Sequence, residues 1–291
     1  MAPRPKPSPP APPASPPPST IPPTLKPPGS RPHLFKNRMA LGAYIASPER
    51  FPPSVVIYHN DDFVAIHDKF PKATVHALLL PRSPRHTLMH PFEALQDVEF
   101  LGRVRAEVER LKVLVAGELQ RRLGPFSRSD ARREAVLNGE TELELDDDDD
   151  DERHGKARQQ EEEDQDKTRE TTHGKEPPQL PQGRNWLAEV KCGVHAVPSM
   201  GNLHVHVLSR DMHSPAMKHR KHYNSFNTPF LVDVADFPLA GADLGRARGP
   251  GEEEGCMRRD LVCWRCGRSF GNRFKELKGH LEEEFEGWKR E

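Results

Sequence analysis

Within the twelve residues 195–206 the chain places three histidines, His195, His204 and His206, around a short turn, Ser199-Met200-Gly201-Asn202. Side chains on an extended strand alternate faces, so His204 and His206 share one face of the segment 203–208 while Leu203, Val205 and Val207 take the other. The plain reading is a pair of surface histidines on an edge strand. His195 and the glycine-containing turn beside the pair point instead to phosphate handling. Neutral imidazole can attack phosphorus, protonated imidazole can neutralise phosphoryl oxygens, and turn amides can cradle them. Zinc is the other species that His-x-His on a strand can take, but the stretch holds no Asp or Glu to complete a site, and the next acid is Asp211. Phosphoryl transfer is the preferred chemistry.

A second group of ligating residues follows, with the spacing Cys263-x2-Cys266-x13-His280-x3-Glu284. The cysteines form a knuckle, His280 and Glu284 share one helical face, and carboxylate oxygen is an acceptable zinc ligand. The pattern predicts a ββα-like zinc finger over 256–291, with Phe270, Phe274 and Leu277 as a small core and a helix over 274–288. Cys256 competes as fourth ligand through a Cys3His set; the finger spacing favours Glu284. So short a piece needs metal to fold, and one structural zinc ion is expected. Arg265, Arg268, Arg273, Lys275 and Lys278 would give it a basic surface suited to phosphate contacts; the alternative is a purely structural knuckle.

These residues must be positioned by a chain whose composition is uneven. Of 291 residues, 34% are hydrophobic, 30% charged and 31 are proline, which argues against a single globular body throughout. No apolar run approaches the roughly 18 residues of a membrane span, and no apolar stretch of signal type follows the basic N-terminal residues. Four cysteines suit a metal site in a reducing compartment better than a disulfide framework. Soluble and intracellular is the expectation, with no membrane partner.

Residues 1–32 hold 15 of the prolines and four basic residues without an acid, and read as a disordered tail. Residues 138–183 hold 17 acidic and six basic residues, with little to bury, and read as a disordered insertion. The rest of the chain is net basic, as a polyanion binder would be. The glycine-rich stretch 241–255 reads as a linker, which leaves a split domain of 33–137 plus 184–240 and the finger. In the split domain, apolar runs at 55–58, 63–66 and 75–80, separated by turn signals, predict strands. Leu95, Val98, Leu101, Val104, Val108, Leu111, Val115 and Leu119 recur every three or four positions and predict one amphipathic helix over 92–123. Segments 190–197 and 203–209 read as two more strands. Strands, helix and strands in that order give an α+β class with an antiparallel sheet.

The stretch from His195 through His206 to Val207, followed by Ser214-Pro-Ala-Met-Lys218 and His222-Tyr-Asn-Ser-Phe-Asn, resembles the aprataxin branch of the histidine-triad (HIT) superfamily. The segment Ile66-His-Asp68-Lys-Phe-Pro-Lys72-Ala-Thr-Val-His76 resembles the nucleotide-binding strands of that superfamily. A HIT domain followed by such a finger is similar to the fungal forms. The departure is Asn202, where the superfamily pattern has its first histidine; His195 would serve in its place. No counterpart of the family's forkhead-associated domain is recognised, so recruitment by phosphoprotein scaffolds is not expected.

The resemblance implies a hydrolase of DNA repair that removes AMP from adenylated 5′-phosphate ends of double-stranded or nicked DNA. His204 would be the nucleophile that forms an adenylyl-histidine, His206 the phosphoryl ligand and His195 the leaving-group acid or a phosphate ligand. Ser199, Met200 and Asn202 with their amides would bind phosphate, as would Lys218. Asp68 would hold the ribose, Ile66 and Leu78 the adenine, and Lys72 and His76 would contact DNA or phosphate. Phe35, or another apolar residue of 34–39, would stack on the terminal base pair. No metal is needed at the catalytic centre, AMP is the product, and the nucleus is the implied location. Two rivals stand against this reading: a general HIT hydrolase of adenosine phosphoramidates or dinucleoside polyphosphates, and a non-enzymatic DNA-binding protein.

Overall fold

A computed structural model describes residues 38–141, 180–241 and 252–291. The proline-rich tail, Phe35 and most of the acidic insertion lie outside the described residues. A six-stranded antiparallel sheet forms the frame. Its strands are β1 (Val56–His59), β2 (Phe63–His67), β3 (His76–Pro81), β4 (Val190–His195), β5 (Val205–Ser209) and β6 (Leu231–Val232), in the order β1-β2-β3-β5-β4-β6. Helices are α1 (Gly42–Ala46), α2 (Pro91–Ala94), α3 (Val98–Leu123), α4 (Arg128–Leu137), α5 (Arg220–Asn227), α6 (Glu252–Arg258) and α7 (Phe274–Trp288). Among the described residues no helix is long and apolar enough to cross a membrane.

The predicted helix over 92–123 is two helices. Asp97 has extended backbone and its carboxylate accepts from the Phe100 N–H, so α3 starts there and the chain turns before it. The apolar stripe of α3, from Leu101 through Val108 and Leu111 to Leu119, packs on one face of the sheet with Ala65, Ala77, Leu79, Val205 and Val207. At about 2 kcal/mol for each fully buried aliphatic side chain, this layer is the main anchor of the sheet. The opposite face carries Val64, Ile66, Leu78 and Leu80 at one end, packed with Leu41 of the segment leading into α1. At its other end it carries the histidines.

The C-terminal module is not a bead on a string. Leu261, Cys263, Phe270, Leu277 and Leu281 form one buried cluster with Leu208, Met212, Met217 and Tyr223 of the split domain. The Tyr223 hydroxyl donates to Val262 O and accepts from Trp264 N, at 2.8 and 2.9 Å. The expected β-hairpin of the finger is reduced to one antiparallel bridge, Val262 to Ser269. Helix α6 begins at Glu252, inside the stretch read as a linker.

Backbone approach at one position is close enough to demand glycine. A Cβ on Gly193 of β4 would lie 2.6 Å from Val232 O and 2.9 Å from Leu231 Cγ of β6. Gly193→Ala is expected to destabilise the protein by about 2–4 kcal/mol. Gly117→Ala, in α3 with no atom within 4 Å of the new carbon, is expected to stabilise it by about 0.5–1 kcal/mol. Denaturant titration of the two variants checks both signs.

Candidate active site

Four imidazoles meet where β3, β4 and β5 converge. His76 opens β3, His195 ends β4, His206 lies on β5, and His204 precedes β5 by one residue rather than lying within a strand from 203. Antiparallel pairing of Leu78 with His206 and of Gly193 with His206 sets the register that brings them together. Ring centroids lie 4.3 Å apart for His195–His206, 4.9 Å for His204–His206 and 5.2 Å for His76–His206. Phe226 of α5 presses its ring on His76, His195 and His206 at 5.4, 4.8 and 5.0 Å.

Hydrogen bonds assign the protons. The Lys72 backbone N–H donates to His76 Nδ1 at 3.1 Å, so in the neutral ring the proton sits on Nε2. His76 Nε2 in turn lies 3.0 Å from His206 Nδ1, which must accept. The proton of His206 is thereby placed on Nε2, a buried nitrogen without a protein partner. His204 is set the opposite way. Its Nδ1 lies 2.7 Å from the Asn202 carbonyl oxygen and donates to it, which leaves a free lone pair on Nε2. One imidazole thus presents a hydrogen-bond donor and its neighbour a lone pair, the form in which an imidazole can attack an electrophile.

Burial holds the rings neutral. It pushes His76 down to about 4 and His195 to about 3, and lowers His204 and His206 as well, with the neighbouring imidazoles and Lys72 adding to the effect at several of them. His206 is therefore a neutral N–H donor rather than the imidazolium that charge neutralisation would call for. The positive charge comes from lysines. Burial lowers Lys72, Asp68 opposes that shift and Lys218 adds to it. The Lys72 ammonium donates to Phe70 O, while Lys218 is exposed.

Other expected residues fall around this group. His195, Met200, Gly201, Asn202 and His204 line one small pocket with Met89 and Pro91. Ser199 is exposed on the same loop. Asn202 is buried and its side-chain oxygen is unpartnered. Gly201 N donates to Arg38 O at 2.7 Å, so Arg38 and Met39, the described end of the segment expected to stack on a base, lie beside the turn, with Met39 half exposed. Asp68 Oδ2 lies 3.5 Å from His76 Nδ1, too far for a hydrogen bond but close enough to act as a charge. Ile66 and Leu78 are buried with Tyr44 and Ile45 of α1 packed against their cluster. Asp68, His76 and His206 bring possible metal-donor atoms within 4.8 Å, but the two imidazoles already bond each other.

Comparison with known proteins gives the chain a family. The HIT-domain profile matches residues 50–213, and that of the C2HE / C2H2 / C2HC zinc-binding finger matches 227–287. The aprataxin-like protein of Saccharomyces cerevisiae is 33% identical, over 85% of this chain and 95% of its own length. That of Schizosaccharomyces pombe is 32% identical, over 85% of this chain and 81% of its own. The chain belongs to the HIT family. Within it the fungal aprataxin-like proteins are its relatives. The crystal structure of the aprataxin orthologue Hnt3 from S. pombe aligns with a TM-score of 0.58 at 30% identity, covering 85% of this chain and 92% of that one. A structure of Hnt3 in complex with DNA aligns with a TM-score of 0.52 at 30% identity, covering 87% and 96%.

The finger of this HIT protein gathers Cys263, Cys266, His280 and Glu284 with their donor atoms within 4.8 Å of one another. Cys266 Sγ lies 3.1 Å and Glu284 Oε1 3.2 Å from His280 Nε2. Two thiolates, an imidazole and a carboxylate suit tetrahedral zinc, and the Arg265 guanidinium holds the second Glu284 oxygen at 2.6 Å. Cys256 is buried in the main core instead, outside this group.

Sequence reasoning missed the supports of the site. Asp211, read only as the nearest acid, accepts from Thr74 N, Thr74 Oγ1 and His213 N at 2.9 Å each, and from Ser209 Oγ, tying the loop between β2 and β3 to the end of β5. Lys191, on the same face of β4 as His195, donates to Phe226 O at 2.9 Å and holds the end of α5 that carries the Phe226 ring. Burial pushes its ammonium down to about 7. Neither has a motif; alternation along β4 places Lys191 on the histidine face, which is the one available signal.

The neutral cluster makes stability depend on acid. An unfolded histidine titrates near 6.5, whereas folded His76 resists protonation until about pH 4. Between those values the unfolded chain binds the extra proton, so stability is complete above about pH 6.5 and declines as pH falls through the window. At pH 5 the His76 contribution alone is expected to cost about 2 kcal/mol, measured as the pH slope of the denaturant midpoint. His76→Asn is expected to flatten that slope.

Proposed function

We propose that this HIT protein removes AMP from the 5′-phosphate of adenylated DNA ends, through a covalent adenylyl-histidine on His204. The observation that carries the reading is the opposite polarity of His204 and His206. His204 Nε2 offers its lone pair to the AMP phosphorus, and the anhydride bond to the DNA 5′-phosphate breaks in line with it. The DNA leaves as a phosphate monoester, which needs little protonation. His206 Nε2–H donates to a non-bridging oxygen, while Lys72 and Lys218 oppose the charge of the phosphates. His195 stands beside His206, neutral until the phosphates bind; their negative charge would let it take up the proton it passes to the leaving oxygen, and later draw one from the water that splits the P–N bond and frees AMP. Asp68 is the residue for the ribose hydroxyls, and Ser199 with the amides of 200–202 for the phosphate.

Substrate class rests on the finger. The basic residues of 265–278 belong to a module that shares its core with the catalytic domain, and a relative at 30% identity is described in complex with DNA. One zinc ion, held by Cys263, Cys266, His280 and Glu284, would have a structural role, fixing α7 on the knuckle. Nuclear residence is part of the same proposal, and imaging of the tagged chain tests it.

The test is AMP release from a nicked duplex carrying a 5′-adenylate, with a small adenosine phosphoramidate as control. His204→Ala is expected to lower both rates by at least about 10³-fold, and His206→Ala by about 10²–10³-fold. Lys275→Glu with Lys278→Glu is expected to raise the DNA KM about tenfold or more and spare the small substrate. A truncation after residue 240 would not serve the same purpose, because it would strip Leu261, Phe270 and Trp288 from the shared core. Cleavage of the small substrate with no action on adenylated DNA would establish the general HIT hydrolase instead.

A further inference from the structure

The acidic stretch leaves and re-enters the fold through a stem with a contact of its own. Helix α4 leads into the stretch and residues 180–189 lead out of it. The two strokes of the stem are locked together by Asp130, a buried carboxylate that accepts from Arg184 N and from Trp186 Nε1, both at 2.8 Å. Arg133 adds a bond to Pro181 O at 3.0 Å. A Cβ on Gly183 would lie 2.8 Å from Asp130 Oδ1, so the chain passes here too closely for any other residue.

What this lock holds is the far end of the finger. Arg184 lies between two indoles, with its guanidinium carbon 4.5 Å from the Trp186 ring and 4.6 Å from the Trp288 ring of α7. It also donates to Trp288 O at 2.6 Å and to Glu189 at 3.2 Å, and Glu189 accepts from Trp288 Nε1 at 2.9 Å. The start of α4 reaches the same end, where Arg128 N donates to Arg290 O at 3.1 Å and Ser129 N to Glu291 O at 3.3 Å. Lys289 lies 4.7 Å over the Phe126 ring. Among the described residues, the hydrogen bonds and ring contacts of the histidine cluster run to other partners.

We propose that this stem, with Arg184 as its central positioning residue, sets the angle of the finger to the active site and so the grip on the DNA duplex. The inference rests on the DNA-directed reading of the site for its consequence and on the contacts above for its geometry. A planar cation stacked between two aromatic faces, one from each module, resists rotation of one against the other. The chemistry at His204 does not depend on that angle, whereas a duplex that must touch both modules does.

Arg184→Gln separates the roles. It is expected to weaken affinity for a plain nicked duplex, read by fluorescence anisotropy, by about tenfold, and to raise the KM for the adenylated nick by a similar factor. The kcat/KM for the small adenosine phosphoramidate is expected to stay within about twofold, with faster amide exchange over 284–291. Arg184→Lys, which keeps the charge but not the planar fork, is expected to recover only part of the affinity. Phe126→Ala with Ser129→Ala removes the exposed ring under Lys289 and the half-buried hydroxyl that donates to Glu291 O, tests the stem again without touching its core, and should shift affinity in the same direction. Unchanged duplex affinity in Arg184→Gln alongside faster exchange would overturn the proposal. So would a parallel fall on the small substrate, which would make the role general stability. If the wild type releases no AMP from DNA, the functional reading fails while duplex affinity still judges the stem.

Discussion

One hydrogen bond direction orders the catalytic face: the Lys72 backbone N–H points at His76 Nδ1. Because a neutral imidazole has one donor and one acceptor, that bond forces the His76 proton to Nε2 and the His206 proton to the nitrogen that faces the site. A backbone amide cannot change its polarity, so the relay has a fixed sense at any pH where the rings are neutral. Burial supplies that neutrality, and Phe226 maintains the burial. His204 is oriented separately, by a main-chain carbonyl two residues before it. Both orienting groups are backbone, which makes the arrangement less vulnerable to side-chain substitution than a triad of paired side chains.

The supports of this relay extend into the finger. Asp211 fixes the loop that carries Lys72 and, through its own carbonyl, accepts from Trp264 Nε1 at 3.2 Å. His213, two residues on, stacks on Phe285 of α7 with centroids 4.0 Å apart and pairs with Glu282. Catalytic loop and finger are thereby built from one continuous set of contacts, with Leu208, Tyr223 and Phe226 buried in the same cluster as the finger residues. A finger this small has too little apolar area to stand alone, and it completes its core by borrowing that of its neighbour.

Much of this was legible in the chain. Alternation placed His204 and His206 on one face, three-and-four spacing found α3 and α7, and the Cys-Cys-His-Glu spacing named the four residues that converge. The break before α3 was less legible, since Leu95 continues the apolar period and only the Asp97 cap interrupts it. His76 was named from a resemblance as a contact to DNA or phosphate; that its Nε2 also seats on His206 Nδ1 and directs a proton there had no sign in the sequence. Asp211 and Arg184 carried no local signal, and Lys191 carried only its place in the alternation of β4. Each acts on a partner that is remote in sequence, 35 residues away for Lys191, 137 for Asp211 and 104 for Arg184.

By itself the sequence determined which chemistries are present and which side chains share a strand or helix face, because periodicity is a local property of backbone geometry. Tertiary structure decided which nitrogen of each imidazole carries the proton, that the rings are neutral, and how the finger is held. Those depend on burial and on donors and acceptors brought from distant parts of the chain. Desolvation and hydrogen-bond polarity exist only once the chain has folded around them.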